Sequence, residues 1–99
     1  MPSYVFTYRQ PKGQPLNMDQ ADDWFKWFDE IGEHITTPGN AVSSARQLGN
    51  CDGSQSVSGF TVISARDMDH ALALAQGCPA ISQGQGIEVG ELLEIPAAA

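Results

Sequence analysis

Two histidines are the side chains of this sequence best suited to acid–base chemistry near neutral pH. His34 comes late in a helix-forming stretch, just before the Gly39-Asn40 turn, and is our one candidate for a catalytic proton carrier. A general base needs a partner that orients it, and the sequence names none. A histidine stabilised by the helix dipole is therefore the favoured interpretation. His70, which follows Asp69 in the first turn of a second helix, is predicted to lie at the surface.

Two cysteines are the remaining candidates for reactive or metal-binding groups. Cys51 and Cys78 are too few and too far apart for a disulfide framework or a zinc site. Cys78 follows the end of the second helix, where the dipole raises a thiol pKa, so we expect a buried structural cysteine. Cys51 lies in a loop and is at most a redox candidate. Gly84-Gln85-Gly86 lacks the following helix that a dinucleotide site requires. The sequence therefore predicts no cofactor and no metal.

The aromatic side chains give the clearest indication of a binding site. Seven of the eight aromatic residues lie in the first predicted strand and the first predicted helix. Most are expected in the core, because aromatic residues at helical spacing usually pack there. The expected exception is an aromatic-lined cleft with a few polar groups, suited to a small, partly apolar, anionic molecule. Its predicted walls are Tyr8, Trp24, Trp27 and Phe28, and its predicted polar contacts are Arg9, His34, Asn40 and Arg46.

The overall charge argues against nucleic acid and anionic membranes as partners. The 99 residues carry 5 basic and 12 acidic side chains, a net charge of −7. Binding to phosphate backbones requires clustered lysines and arginines, and the cations here are scattered. No apolar run approaches the roughly 20 residues of a membrane span, and the N-terminus has no export signal. We therefore expect one cytoplasmic domain over residues 1–99, with 96–99 as a tail.

Hydrophobic periodicity predicts two helices that would position these residues. The first runs from an Asn17 capping box to about His34. The second is capped by Asp67 and ended by Gly77 and Pro79. The two predicted apolar stripes are Met18, Ala21, Trp24, Phe25, Phe28, Ile31 and Ile35, with Trp27 at the edge, and Met68, Ala71, Leu72 and Ala75.

Four predicted strands, over 4–9, 41–48, 57–65 and 86–95, complete the order β-α-β-β-α-β. This order is that of an α+β ferredoxin-like fold, with a four-stranded antiparallel sheet and two helices on one face. The other face keeps apolar residues, and an open apolar face of several hundred Å² is unusual on a monomer. We therefore predict a homodimer that buries the open sheet face.

The most specific sequence signals lie in the last third of the chain. They are Gly59-Phe60-Thr61-Val62-Ile63, Asp67-Met68-Asp69-His70-Ala71, Gly77-Cys78-Pro79 and Gly86-Ile87-Glu88-Val89. In these segments the chain resembles the YCII-related family, small proteins of the dimeric ferredoxin-like, or α+β barrel, superfamily. The first half is compatible with the same pattern. The resemblance implies a dimeric barrel and a cleft between the sheet and the first helix.

Two departures from the family pattern argue against its proposed catalysis. One branch carries Asp-Gly-Pro-Phe before its third strand, where this chain has Asp52-Gly53-Ser54-Gln55. The proposed enzymes pair a histidine early in the first helix with an aspartate before the proline that ends the second. This chain has no histidine in 18–23, and Cys78 precedes Pro79. The resemblance therefore implies the domain without its His-Asp dyad.

Three functions remain open from the sequence. The first is binding of a small organic molecule in the predicted cleft, without a strong catalytic apparatus. The second is isomerase- or lyase-like chemistry on a small metabolite, with His34 as proton carrier. The third is a protein-interaction module whose apolar sheet face docks an unrelated partner. A stable homodimer would argue against the third, because the face would already be covered.

Overall fold

In the computed structural model, four strands form one antiparallel sheet with helices on one face. The structure describes residues 1–14 and 18–94, so the predicted Asn17 cap and the chain end over 95–99 lie outside the described residues. The strands are β1 (Ser3–Pro11), β2 (Ile35–Thr37), β3 (Gln55–Ser64) and β4 (Gly86–Glu91), in the spatial order β2-β3-β1-β4. The helices are α1 (Ala21–Glu30), α2 (Met68–Ala75) and the short α3 (Pro79–Ser82). The predicted α+β ferredoxin-like fold is confirmed.

β1 is a central strand, and its alternation decides which face of the sheet is buried. Tyr4, Phe6 and Tyr8 point towards the helices and are 0%, 0% and 5% exposed. Directly opposite residues of antiparallel strands share a face, so Ile63 and Thr61 of β3 join them there. This face and the inner sides of the helices form the core.

The opposite side of the sheet carries Val5 and Thr7 of β1 beside Val62 and Phe60 of β3. We call these four residues the open face. The core cluster lies on the other side of the sheet, and Phe60 remains 37% exposed. Burial of the open face in a homodimer stays a prediction.

In α1 the buried stripe is rotated from the predicted one. Trp27 and Ile31 are buried, and Trp24 and Phe28 pack partly against the core. These four residues have the i, i+3, i+4, i+7 spacing of one helix face. Phe25, which the sequence predicted on that face, is 64% exposed. Trp27 therefore lies at the centre of the buried face and not at its edge.

The predicted Asp67 cap of α2 is confirmed, since its carboxylate accepts the His70 backbone N–H at 2.8 Å. Gly77 does not take the left-handed conformation predicted for the end of α2; instead, a Cβ at Gly77 would stand 3.2 Å from the Trp27 ring. The buried stripe of α2 is also rotated from the predicted one. The buried residues are Ala71 and Ala75, whereas Met68 and Leu72 are 37% and 44% exposed. Small residues thus let this part of the chain approach Trp27.

Nowhere in the described part of the chain is a helix both long and apolar enough to cross a bilayer.

The second strand lies earlier in the chain than the sequence predicted. Within the described residues 41–48, Ala41 makes an isolated bridge to Gly59, and the rest is irregular. The strand is instead β2, and α1 ends at Glu30 rather than near His34. The prediction failed here because the first residue of β2 continues the apolar spacing of α1. Residues 42–47 therefore lie outside the strands and form one wall of a cleft.

Candidate functional site

Four of the predicted ligand-binding residues meet at the junction of α1 and the sheet. We call Tyr8, Trp24, Trp27 and Phe28 the aromatic corner. The Tyr8 ring lies 4.8 Å from that of Trp24, edge to face, and the two tryptophan rings lie 5.9 Å apart. Phe28 lies 5.4 Å from Trp27. These are the separations and tilts at which aromatic rings attract each other.

Two members of the aromatic corner belong to the core. Tyr8 and Trp27 are 5% and 2% exposed, and their polar groups have partners inside the protein. The Tyr8 hydroxyl donates to Thr61 Oγ1 at 2.7 Å, and the Trp27 indole N–H donates to the Leu74 carbonyl at 3.1 Å. Burial raises the pKa of Tyr8, so its hydroxyl is neutral at physiological pH. Trp24 and Phe28, both half-buried, are the members that keep accessible ring surface.

The structure distributes the four predicted polar contacts around the molecule. Arg9 is half-buried on β1, near the Asp52 carboxylate. Asn40 is exposed, and its carbonyl accepts the Phe60 N–H at 3.3 Å. Arg46 is exposed on the irregular segment over 42–47. The ligand-binding role of the eight predicted residues stays a prediction.

His34 lies against the second histidine of the chain. The rings of His34 and His70 meet edge to face with their centres 5.1 Å apart. His70 Nδ1 accepts the Arg66 backbone N–H at 3.1 Å, which places the proton of the neutral ring on Nε2. His34 Nε2 lies 3.5 Å from a carboxylate oxygen of Glu33, which is 86% exposed. Such an exposed carboxylate is a poor orienting partner for a general base. In the part of the chain that the structure describes, no cluster of three or more His, Cys, Asp or Glu side chains could hold a metal ion.

The two cysteines are free thiols in different environments. Cys78 is buried, as predicted, and burial raises its pKa from 9.0 to about 11. The neutral thiol is a weak nucleophile at physiological pH. Cys51 is exposed, and its thiol donates to the Leu48 carbonyl. Both positions fit structural or surface roles.

A cleft of about 560 Å³ lies away from the aromatic corner, since none of the corner's four residues lines it. One wall is the segment over 42–47, and the other is formed by the turn after β1 and the start of β3. We call it the polar cleft. The side chains lining it comprise two cations (Lys12 and Arg46), three amides (Gln10, Gln14 and Gln47), three hydroxyls (Ser43, Ser44 and Ser56) and the small apolar Val42, Ala45 and Val57.

Hydrogen bonds fix both walls of the polar cleft. The Val42 N–H donates to the Ser58 carbonyl at 2.9 Å, which ties the start of the segment to β3. At the other end, the Gln47 side-chain amide donates to the Gln55 carbonyl at 2.8 Å. On the opposite wall, the Lys12 N–H donates to the Ser54 carbonyl at 3.0 Å. A cleft whose walls are held by the backbone is largely formed before a ligand arrives.

The residues lining the polar cleft carry positive but no negative charge. Asp52 is the acidic residue beside it, since the Asp52 backbone carbonyl accepts from Gln47 at 3.2 Å. Its carboxylate accepts the N–H and O–H of Ser54 at 2.9 Å and 2.8 Å. These hydrogen bonds, together with the charge of Arg9, lower the pKa of Asp52. The Asp52 charge is therefore already stabilised by groups other than Lys12 and Arg46.

A smaller groove of about 230 Å³ lies between α1 and α3. Its rim carries Asp23, Glu30 and Lys26, with the edge of Trp27 at its base and Pro79 opposite. Its charges are mixed and exposed, so they favour neither an anion nor a cation. The groove offers a less selective surface than the polar cleft.

Arg46 is the one predicted site residue that lines the polar cleft. Sequence reasoning missed Ser43, Ser44 and Gln47 because it assigned residues 41–48 to a strand. It gave Lys12 and the other lining residues no role in binding. The available signal was the run Ser43-Ser44 followed by Arg46 and Gln47, which lacks the apolar alternation of a strand. An irregular polar segment of this kind is where binding residues are often found.

Comparison with known proteins identifies the fold but not the family. No protein-family model matches the chain, and no curated protein matches it. Among solved structures, it is similar to the 5-chloro-2-hydroxyhydroquinone dehydrochlorinase TftG from Burkholderia phenoliruptrix AC1100, in complex with 2,5-dihydroxybenzoquinone. The TM-score is 0.63 at 14% sequence identity, over 93% of this chain and 95% of that chain. At this identity the likeness shows a shared fold.

Proposed function

We propose that this protein binds a small organic molecule and that the polar cleft is the binding site. The observation that carries the proposal is the cleft itself. Its volume of about 560 Å³ falls within the range of roughly 300–1,000 Å³ typical of small-molecule sites. Its walls are tied to β1 and β3 by hydrogen bonds, and amides, hydroxyls and cations from both walls converge on it.

The shared fold supports a small-molecule ligand. TftG, by its description, acts on a chlorinated hydroxyhydroquinone and was solved with a small dihydroxyquinone. We propose by analogy that this chain takes a ligand of similar size, and that it is a distant relative of the YCII-related family. The missing His-Asp dyad is why we propose binding rather than that family's catalysis.

The aromatic corner is the competing location for the ligand. Trp24 and Phe28 could offer ring faces at the α1 side of the sheet, where the sequence predicted the cleft. Tyr8 and Trp27, however, would have to leave the core, since they are 5% and 2% exposed. Opening the corner would break the indole hydrogen bond to Leu74 and expose large apolar surface. The polar cleft needs no such rearrangement.

A pair of filling variants tests whether the polar cleft holds the ligand. Ser44→Phe places a ring in the polar cleft, whereas Ser82→Phe places the same ring in the groove between α1 and α3. In a thermal-shift screen of aromatic fragments, we expect hits that stabilise the wild type and Ser82→Phe but not Ser44→Phe. Equal stabilisation of all three proteins would place the ligand elsewhere, and a screen without hits would contradict the proposal.

A second candidate function is proton transfer by His34 on a small metabolite. The edge contact between His34 and His70 and the enzymatic activity described for TftG support it. If an activity is found, it should depend on pH near neutrality, and His34→Gln should abolish it. Activity that survives this substitution would exclude His34 from the mechanism.

We further propose that two copies of the chain associate through the open face. The exposed Phe60 ring and the neighbouring Val5 and Val62 supply apolar surface on the side of the sheet away from the core cluster. Light scattering should give twice the monomer mass for the wild type, and Val62→Glu should shift the mass towards the monomer. A monomeric wild type would contradict this proposal and would revive the interaction-module alternative.

A further inference from the structure

We infer that the ligand of the polar cleft is a small organic anion with an apolar body, held at its charged end by Lys12 and Arg46. This inference rests on the proposed function. Two of the five lysines and arginines of the chain line this cleft, and no aspartate or glutamate does. In a chain with 12 acidic residues and a net charge of −7, this separation of charge makes the cleft locally positive.

Both cations are available to a ligand. Arg46 Nη1 donates to the neighbouring Ala45 carbonyl at 2.9 Å, and because a guanidinium has five N–H donors it can also bind a planar acceptor. Over residues 1–14 and 18–94, the ion pair found within 4.0 Å joins His34 and Glu33 and involves neither cation of the cleft. A ligand carboxylate or phenolate would thus meet unneutralised donors.

The acidic residue beside the cleft does not compete for this role. The Asp52 carboxylate is bound by the N–H and O–H of Ser54, and Arg9 is the cation that helps to lower its pKa. Arg9 lies on β1 and does not line the cleft. The pairing of Asp52 with Ser54 and Arg9 therefore leaves Lys12 and Arg46 for the ligand.

The rest of the lining sets the shape of the ligand. Val42, Ala45 and Val57 line the cleft and are only half-buried, so their carbon atoms still face solvent. A ligand with an apolar ring would cover these atoms while its charged group met the cations. An inorganic anion would leave the apolar surface uncovered.

Benzoate and benzamide are the probes that test this inference, because they share a ring and differ in charge. Each is titrated into the ¹⁵N-labelled protein at low salt, and the backbone amide signals of the cleft are followed. We expect benzoate to bind about tenfold more tightly than benzamide, as one charge-assisted hydrogen bond would give. Arg46→Gln should remove this preference, and Lys12→Gln should reduce it. The matched control is Arg66→Gln, an exposed arginine outside the cleft.

Each outcome has one meaning. Equal affinities for benzoate and benzamide at the cleft would overturn the anion inference and leave the proposed function standing. Inorganic phosphate that binds as tightly as benzoate would overturn the apolar part of the inference. Amide signals of the cleft that respond to neither ring would contradict the proposed function itself. A preference for benzoate that is lost in Arg46→Gln and kept in Arg66→Gln would support both.

Discussion

The aromatic corner and the polar cleft lie on the same sheet but use their polar atoms in opposite ways. In the corner, the Tyr8 hydroxyl and the Trp27 indole N–H both have partners within the protein. In the cleft, Arg46 donates through one guanidinium nitrogen to its neighbour's carbonyl, and Lys12 lies in an exposed turn. Concentrated aromatic residues thus mark the core of this protein. The site that we propose is lined instead by a less conspicuous set of polar residues.

Removal of the Trp27 ring is the test of this contrast for which we expect the largest loss of stability. Trp27 contacts all three other members of the corner and the ring of Phe6. We expect Trp27→Ala to lower the free energy of unfolding by about 3–5 kcal/mol, as a large cavity in a core does. Urea denaturation measures the change. Phe25→Ala, on the exposed side of the same helix, is the control and should cost less than about 1 kcal/mol. Equal losses in the two variants would mean that the corner is not core.

Gly39 provides the next test, on the segment that leads from β2 to the cleft wall. It has a φ of +75°, and a Cβ there would collide with the Phe60 carbonyl. We expect Gly39→Ala to destabilise the fold by about 3 kcal/mol, because the clash adds to the backbone strain. Gly49→Ala is the matched control, since Gly49 has a φ of +72° with open space around it. It should cost only the strain, about 1 kcal/mol. Similar losses would show that the close approach to Phe60 does not form.

Alkaline pH should weaken the buried side of the sheet. Burial raises the pKa of Cys78 to about 11, and burial with a hydrogen bond to Glu91 raises that of Tyr4 to about 12. The unfolded chain loses these protons at lower pH than the folded protein does. The free energy of unfolding therefore keeps its full value below about pH 9 and falls as the pH rises towards these pKa values. Cys78→Ala should flatten the decline between about pH 9 and 11, whereas Cys51→Ala should leave it unchanged. A decline that is identical in all three proteins would exclude Cys78 as its source.

The sequence was sufficient for the fold because its local signals agree with one another. The alternate positions of Tyr4, Phe6 and Tyr8 indicate a strand with one buried face. The Asp67 cap indicates the exact residue at which α2 begins. Apolar spacing alone could not fix the rotation of the helices. Trp27 and Phe25 are equally apolar by type, so apolar spacing does not decide which of them is buried. That depends on the space that α2 and Gly77 leave beside the helix.

The candidate site was harder to predict because it forms only in three dimensions. The turn at Lys12 and the segment at Arg46 are far apart in sequence, and hydrogen bonds to β3 and to Ser54 just before it bring them to one cleft. A strand assigned to 41–48 would have placed Arg46 on a sheet edge. β2 has only three residues, and its isoleucine continues the spacing of α1, so periodicity could not locate it. Tertiary contacts decided both features.

A crystal structure of the protein with benzoate tests the central claim most directly. We expect the benzoate ring against Val42 and Val57 and its carboxylate within hydrogen-bond distance of Arg46, with Trp27 still buried and bound to Leu74. A benzoate ring lodged instead between Trp24 and Phe28, with Trp27 displaced from the core, would contradict the account.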